Sequence, residues 1–251
     1  VVAPTIMWVL DDQGIDIPNG GSTVSTSVTL TGTASPGQRV QILDGSTPVV
    51  YDVPVENTGY WTMPIPGLDV AGHYFTAVGQ YANNPPSNTR EVIVYSGAGG
   101  REDWENQPDH AFTTGHSVTY PSGLVVTLAF GESAPAFGGT QVRRLNLYPG
   151  RGLTLVGNAQ IRLNFPGMIR YFRGTVVAIH GTANYAVFFD PRGTNIGTLA
   201  LPVTGDGYQT VEFRATAGTV IAAIDIVSAR DPGWPTDVGW SIADVQWLPY
   251  I

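Results

Sequence analysis

Residues 18–61 read PNGGSTVSTSVTLTGTASPGQRVQILDGSTPVVYDVPVENTGYW, and this stretch decides the fold. Val24, Thr26, Val28 and Leu30 alternate with period two and predict a strand over 24–33. The turn Ala34-Ser35-Pro36-Gly37 follows, then a second strand, Arg39–Leu43, closing at Asp44-Gly45. A third element runs to Asn57-Thr58-Gly59-Tyr60-Trp61-Thr62. Short β-branched runs punctuated by Pro-Gly and Asp-Gly are antiparallel strands joined by tight turns.

The order of these pieces, TGTA, SPG, a V-x-I strand, DG and a later N-x-G-x-W-T, resembles the bacterial Ig-like repeat of large surface adhesins and secreted enzymes. That resemblance implies a spacer or display module in a secreted or cell-surface bacterial setting.

Composition points the same way. Thirty-one Gly and nineteen Pro in 251 residues are far too many for a helical protein. Only 13% of residues are charged against 43% hydrophobic, which excludes a disordered chain. All twelve basic residues are Arg, and the net charge is −8. Nucleic acid and anionic membranes, which demand basic patches, are thereby excluded as partners. An acidic surface is compatible with Ca²⁺ or a neutral glycan. With no cysteine, disulfides, thiolate metal sites and cysteine catalysis are excluded. No apolar run approaches the length of about 18 residues that a membrane helix needs. The Val1-Val2 start is read as a mature product or a segment of something longer.

Ser96-Gly-Ala-Gly-Gly-Arg101 is the strongest linker signal. It divides the chain into an Ig-like domain over 1–96 and a larger domain over 97–251. About seven strands are expected in the first, with Trp8, Val28, Leu30, Val40, Ile42, Trp61, Phe75, Ala77 and Val92 in its core. The second half is again strand-rich, with ten or so strands. Ile161, Leu163 and Phe165 alternate with Arg162 and Asn164, as a strand with one buried face requires. The fold class expected is all-β: an Ig-like β-sandwich followed by a larger, jelly-roll β-sandwich.

Three motifs carry a second resemblance, to jelly-roll carbohydrate-binding and galactose-binding-like modules. They are the opening Glu102-Asp103-Trp104-Glu105, the hairpin around Asp190-Pro-Arg-Gly193, and the closing Ser241-Ile-Ala-Asp244-Val-Gln-Trp247. In such modules the first and last strands lie side by side and share a structural Ca²⁺. Carried over, Asp103, Glu105 and Asp244 are the implied ligands; Ala243 stands where a second closing carboxylate is often found. The alternative is a set of solvated strand-end carboxylates.

The loop Ala229–Trp240 concentrates the chain's densest recognition chemistry. Sugar binding needs a flat aromatic face beside planar polar groups. Trp234 is the expected platform, with Asp231, Asp237, Arg230 and Trp240 around it. The competing reading makes Trp234 a plug for the end of the sandwich. Two weaker signals remain. Ala134–Thr140, with Glu132, Tyr148 and Arg143-Arg144 nearby, is either a groove wall or a plain loop. Asp11-Asp12-Gln13-Gly14-Ile15-Asp16 is either an inter-module cation site or a polar turn, and lacks an EF-hand pattern.

Catalytic signatures are missing. Ser133 lacks the second Gly of a nucleophile elbow, and the four His form no H-E-x-x-H pair. The sequence therefore reads as a non-enzymatic two-module protein that binds a carbohydrate or cell-surface polymer, adhesin-like. The alternative is a structural subunit of a fibre or phage-like appendage, acting by self-association or through neighbouring modules of a longer chain.

Overall fold

Gly32 and Trp61 stand opposite one another on paired strands, and their contact explains the TGTA and YW signatures. A Cβ on Gly32 would lie 2.6 Å from the Trp61 ring, so only glycine lets the indole lie against the backbone. Trp61 is buried there, and its Nε1–H donates to the Thr33 carbonyl at 3.2 Å. The computed structural model describes residues 1–131, 139–145, 148–229 and 239–249. Every regular element among them is a strand, and no described helix is long and apolar enough to cross a membrane.

The chain divides into two compact units, Val1–Ser96 with Thr216–Thr219, and Gly97–Ala215 with Val220–Ile251. The first contains β1 (Thr5–Leu10), β2 (Gly21–Thr23), β3 (Val28–Thr33), β4 (Arg39–Asp44), β5 (Thr47–Pro54), β6 (Tyr60–Ile65), β7 (Gly72–Gly79) and β8 (Pro86–Val94). They form a three-stranded sheet, β1-β3-β6, and a five-stranded sheet, β2-β8-β7-β4-β5. Leu30, Trp61 and Ile65 from the first sheet meet Val40, Ile42, Phe75 and Val92 from the second in one core. A two-residue turn with Gly45 at φ 58° joins β4 to β5, as Asp-Gly predicts.

Two expectations fail here for local reasons. The strand expected from residue 24 begins at Val28, because Ser25 folds Thr23–Ser27 into a hydroxyl-bonded turn. Its amide donates to Thr23 Oγ1 at 3.0 Å, and its hydroxyl to the Ser27 carbonyl at 2.7 Å. Trp8, expected in the core, is 47% exposed, whereas the other eight expected core residues are buried. Pairing passes from Ile6↔Gly32 directly to Trp8↔Thr31, so Met7 is an extra residue. This β-bulge turns both Met7 and Trp8 outward between the buried Ile6 and Val9.

The second unit contains β9 (Gly100–Glu102), β10 (His110–Ala111), β11 (Ser117–Thr119), β12 (Val125–Gly131), β13 (Gln141–Arg144), β14 (Arg151–Val156), β15 (Ala159–Ile169), β16 (Tyr171–Val177), β17 (Tyr185–Phe189), β18 (Asn195–Ala200), β19 (Tyr208–Arg214), β20 (Ile221–Ser228) and β21 (Gly239–Leu248). One sheet runs β10-β13-β14-β21-β16-β19, with β9 also paired to β21; the other runs β11-β12-β15-β20-β17-β18. Leu153, Phe172 and Trp247 meet Leu128, Ile161 and Phe188 between them. The molecule is thus all-β, and each unit is a β-sandwich. The Asp190-x-x-Gly193 hairpin is built by its own side chain: Asp190 Oδ1 accepts from the Arg192 and Thr194 amides at 2.9 and 2.7 Å.

Candidate functional site

Of the loop singled out for ligand binding, Arg230, Asp231, Trp234 and Asp237 lie outside the described residues. So do Glu132 and Ala134–Gly138 of the weaker candidate groove. Trp240 is described, and it is a structural residue rather than a ligand face, being only 5% exposed. Its Nε1–H is shared between Asn184 Oδ1 and Ser228 Oγ, each at 3.0 Å. Asn184, itself buried, also accepts from the Ala229 amide at 3.0 Å and donates to the Gly181 carbonyl at 3.0 Å. One asparagine thus ties the residue before the loop to the first tryptophan after it.

The carboxylates expected to hold Ca²⁺ lie where β9 pairs with β21, Arg101 opposite Gln246 and Glu102 opposite Val245. The opening and closing strands are therefore adjacent. On β21 a bulge sets two residues, Asp244 and Val245, against Gly174 of β16. Asp244 takes φ 48° and turns outward, while Val245 and Trp247 stay buried. Arg101 Nε donates to Asp244 Oδ1 at 2.5 Å, and its Nη2 lies 3.9 Å from Asp103. Gln246 Nε2 also reaches Asp244, at 3.2 Å. Glu105 is turned to the Arg151 amide, which donates to its Oε1 at 2.7 Å.

These residues do not fit a calcium ion. A guanidinium occupies the space between Asp103 and Asp244, and a hard cation needs six to eight oxygens without a competing positive charge. Among the described residues, no group of three His, Asp or Glu is placed to hold a metal. The buried acid of the motif is Glu102, which sequence reasoning passed over. It accepts from the Trp104 amide at 2.9 Å and the Ser122 hydroxyl at 2.7 Å, fixing Trp104 at φ 56°.

The same corner carries an aromatic pair that no sequence signal announced. Tyr148 and Tyr208 meet edge to face at 5.3 Å between centroids, and Tyr208 is 57% exposed. Tyr148 packs on Leu145, Val177 and Ala243. Burial raises its phenol above the ordinary range, the Asp244 charge adds to this, and Arg101 opposes it. The Arg101 guanidinium is itself held up by its hydrogen bond to Asp244. An exposed ring packed edge to face on a neighbour, beside a guanidinium–carboxylate pair, can stack on an apolar ring face and bond vicinal hydroxyls.

The other candidates are structural. Asp11 Oδ1 accepts from the Gln13 and Ile15 amides at 3.0 and 2.9 Å, a polar turn. His73 is tied to Asp44, and His110 to the Pro108 carbonyl and the Tyr120 hydroxyl.

In sequence, the chain matches no protein-family model and no curated protein. Among solved structures it is similar to a carbohydrate-binding module of a Cellvibrio mixtus lichenase, solved with cellotriose. Identity there is 16% over 48% of this chain and 90% of that one, with a TM-score of 0.31. It is also similar to an adhesin domain of Lys-gingipain from Porphyromonas gingivalis: 14% identity, 60% and 98% coverage, TM-score 0.38. A third is a carbohydrate-binding module of a laminarinase from Zobellia galactanivorans, at 15% identity, 50% and 98% coverage and TM-score 0.32.

Proposed function

We propose that the chain is a non-enzymatic, extracellular two-module protein of bacterial type, in which an Ig-like unit carries a jelly-roll unit that binds a carbohydrate or cell-surface polymer. The observation that carries this reading is the exposed Tyr208 ring braced by Tyr148 at the corner that holds the Arg101–Asp244 pair. Arg101 and Asp244 supply fixed hydrogen-bonding groups for hydroxyls, and the ring supplies a flat apolar face. The loop bearing Arg230, Asp231, Trp234 and Asp237 is part of the same proposal. A fibre subunit, acting through protein–protein contacts of edge strands or loops, is the less favoured reading. The edge strand β5 is blunted by Pro48, Pro54 and Asp52 at φ 59°.

The test is a glycan array probed with the full chain, followed by titration of any hit against Tyr208→Ala and Trp234→Ala. At least one variant is expected to lose tenfold or more in affinity, about 1.4 kcal/mol. A blank array, or affinity unchanged in both variants, overturns the reading.

A further inference from the structure

The unit read from sequence as a spacer carries a recognition surface of its own, on the outer face of β1-β3-β6. The bulge at Met7 puts Trp8 there. Cross-strand pairing then lays out a row, Trp8–Thr31–Thr62, with Thr33 opposite Tyr60 in the row beside it. Threonines form the floor, and the two aromatic residues, Trp8 at 47% and Tyr60 at 53% exposure, stand at its sides. The resulting groove encloses about 440 Å³ and is lined also by Leu10, Asp16 and Glu56. That volume lies in the range of small-ligand sites, roughly 300–1,000 Å³.

We propose that this groove binds a neutral saccharide. Indole and phenol faces suit the C–H face of a sugar ring, while Asp16 and Glu56 accept from its hydroxyls. Asp16 is held in place: it accepts from the Val9 amide at 3.3 Å and lies 3.7 Å from Arg90. Arg90 donates from Nη1 and Nη2 to the Met7 and Ile17 carbonyls at 2.7 and 2.8 Å. No basic residue lines the groove, so two carboxylates repel phosphates, sulfated glycans and uronates. The partial neutralisation of Asp16 by Arg90 favours an uncharged ligand over a cation.

Tryptophan fluorescence of the full chain carrying Trp234→Phe, which silences the other proposed site, tests this, because among the described residues Trp8 is the exposed indole while Trp61, Trp104, Trp240 and Trp247 are buried. The probes are oligosaccharides of β-1,4-glucan, xylan, galactan and chitin, with oligouronates and choline as separate arms. At least one neutral oligosaccharide is expected to blue-shift the emission. Trp8→Phe abolishes the shift, and Trp8→Ala weakens binding tenfold or more with its melting temperature unchanged. Tyr208→Ala leaves this response intact, so failure here and failure at the other unit are told apart. The proposal is overturned by silence of every neutral probe at millimolar concentration, by a response to choline or oligouronates alone, by a shift that persists in Trp8→Phe, or by a melting temperature several degrees lower in Trp8→Ala.

Discussion

Each unit lays a tryptophan on a glycine of the neighbouring strand, Trp61 on Gly32 in the first and Trp247 on Gly100 in the second. In both, a Cβ on the glycine would strike the indole, at 2.6 Å and 2.5 Å respectively. The two tryptophans differ at their polar end. Trp61 donates to the Thr33 carbonyl, but Trp247 Nε1 is buried with no partner among the described residues. The Trp247 ring packs on Phe165, 5.4 Å between centroids, and acts as a hydrophobic body alone. The same packing solution therefore includes a hydrogen bond in one unit and does without it in the other. What the two contacts share is the indole ring lying against the glycine backbone.

The largest effect that would break this parallel is at the glycines. A Cβ on Gly32 would also collide with the Thr5 carbonyl, a backbone atom with nowhere to move, whereas on Gly100 its nearest contacts are indole atoms. Gly32→Ala is expected to destabilise its unit by more than about 3 kcal/mol, and Gly100→Ala by about 1–3 kcal/mol. Equal shifts in urea midpoint would mean the two contacts are equivalent. Next comes the polar end. Trp61→Phe removes the indole's bond to the Thr33 carbonyl, while Trp247→Phe removes an orphan donor. Trp61→Phe is therefore expected to cost about 1–2 kcal/mol more in chemical unfolding, and a reversed order would refute the assignment.

The smallest effect is confined to the first unit and depends on one proton. Burial alone would lower the His73 pKa, but the Asp69 carbonyl at 3.0 Å and the Asp44 carboxylate at 2.6 Å outweigh it, and the pKa is raised above 6.5. Both partners are acceptors, so the folded state prefers the imidazolium. Its contribution is complete below the unfolded value near 6.5 and is lost as pH rises through the raised folded value. Unfolding of the first unit is expected to become easier across that window, and His73→Gln is expected to flatten the dependence. A wild-type profile flat from pH 6 to 9 would remove His73 as the cause.

How much was legible follows from sequence distance. Gly32 and Trp61 fall within one short stretch, and the turns between them have fixed chemistry, so that sandwich could be read directly. Gly100 and Trp247 stand at opposite ends of their unit, and nothing local announces their contact. Trp8 misled because Ile6-Met7-Trp8-Val9 is apolar throughout, and a bulge leaves no trace in an unbroken apolar run. Asp244 sits on a second such bulge, and its true partner, Arg101, emerges only once Arg101 is registered against Gln246. Tyr148 and Tyr208 meet through tertiary packing that no spacing encodes.

Asn184 has a consequence of a different kind. Its side chain holds both the Ala229 amide and the Trp240 indole, so the two ends of the intervening segment are clasped by a residue that belongs to neither. The entropy of closing that segment is met by the scaffold, whatever sequence lies between.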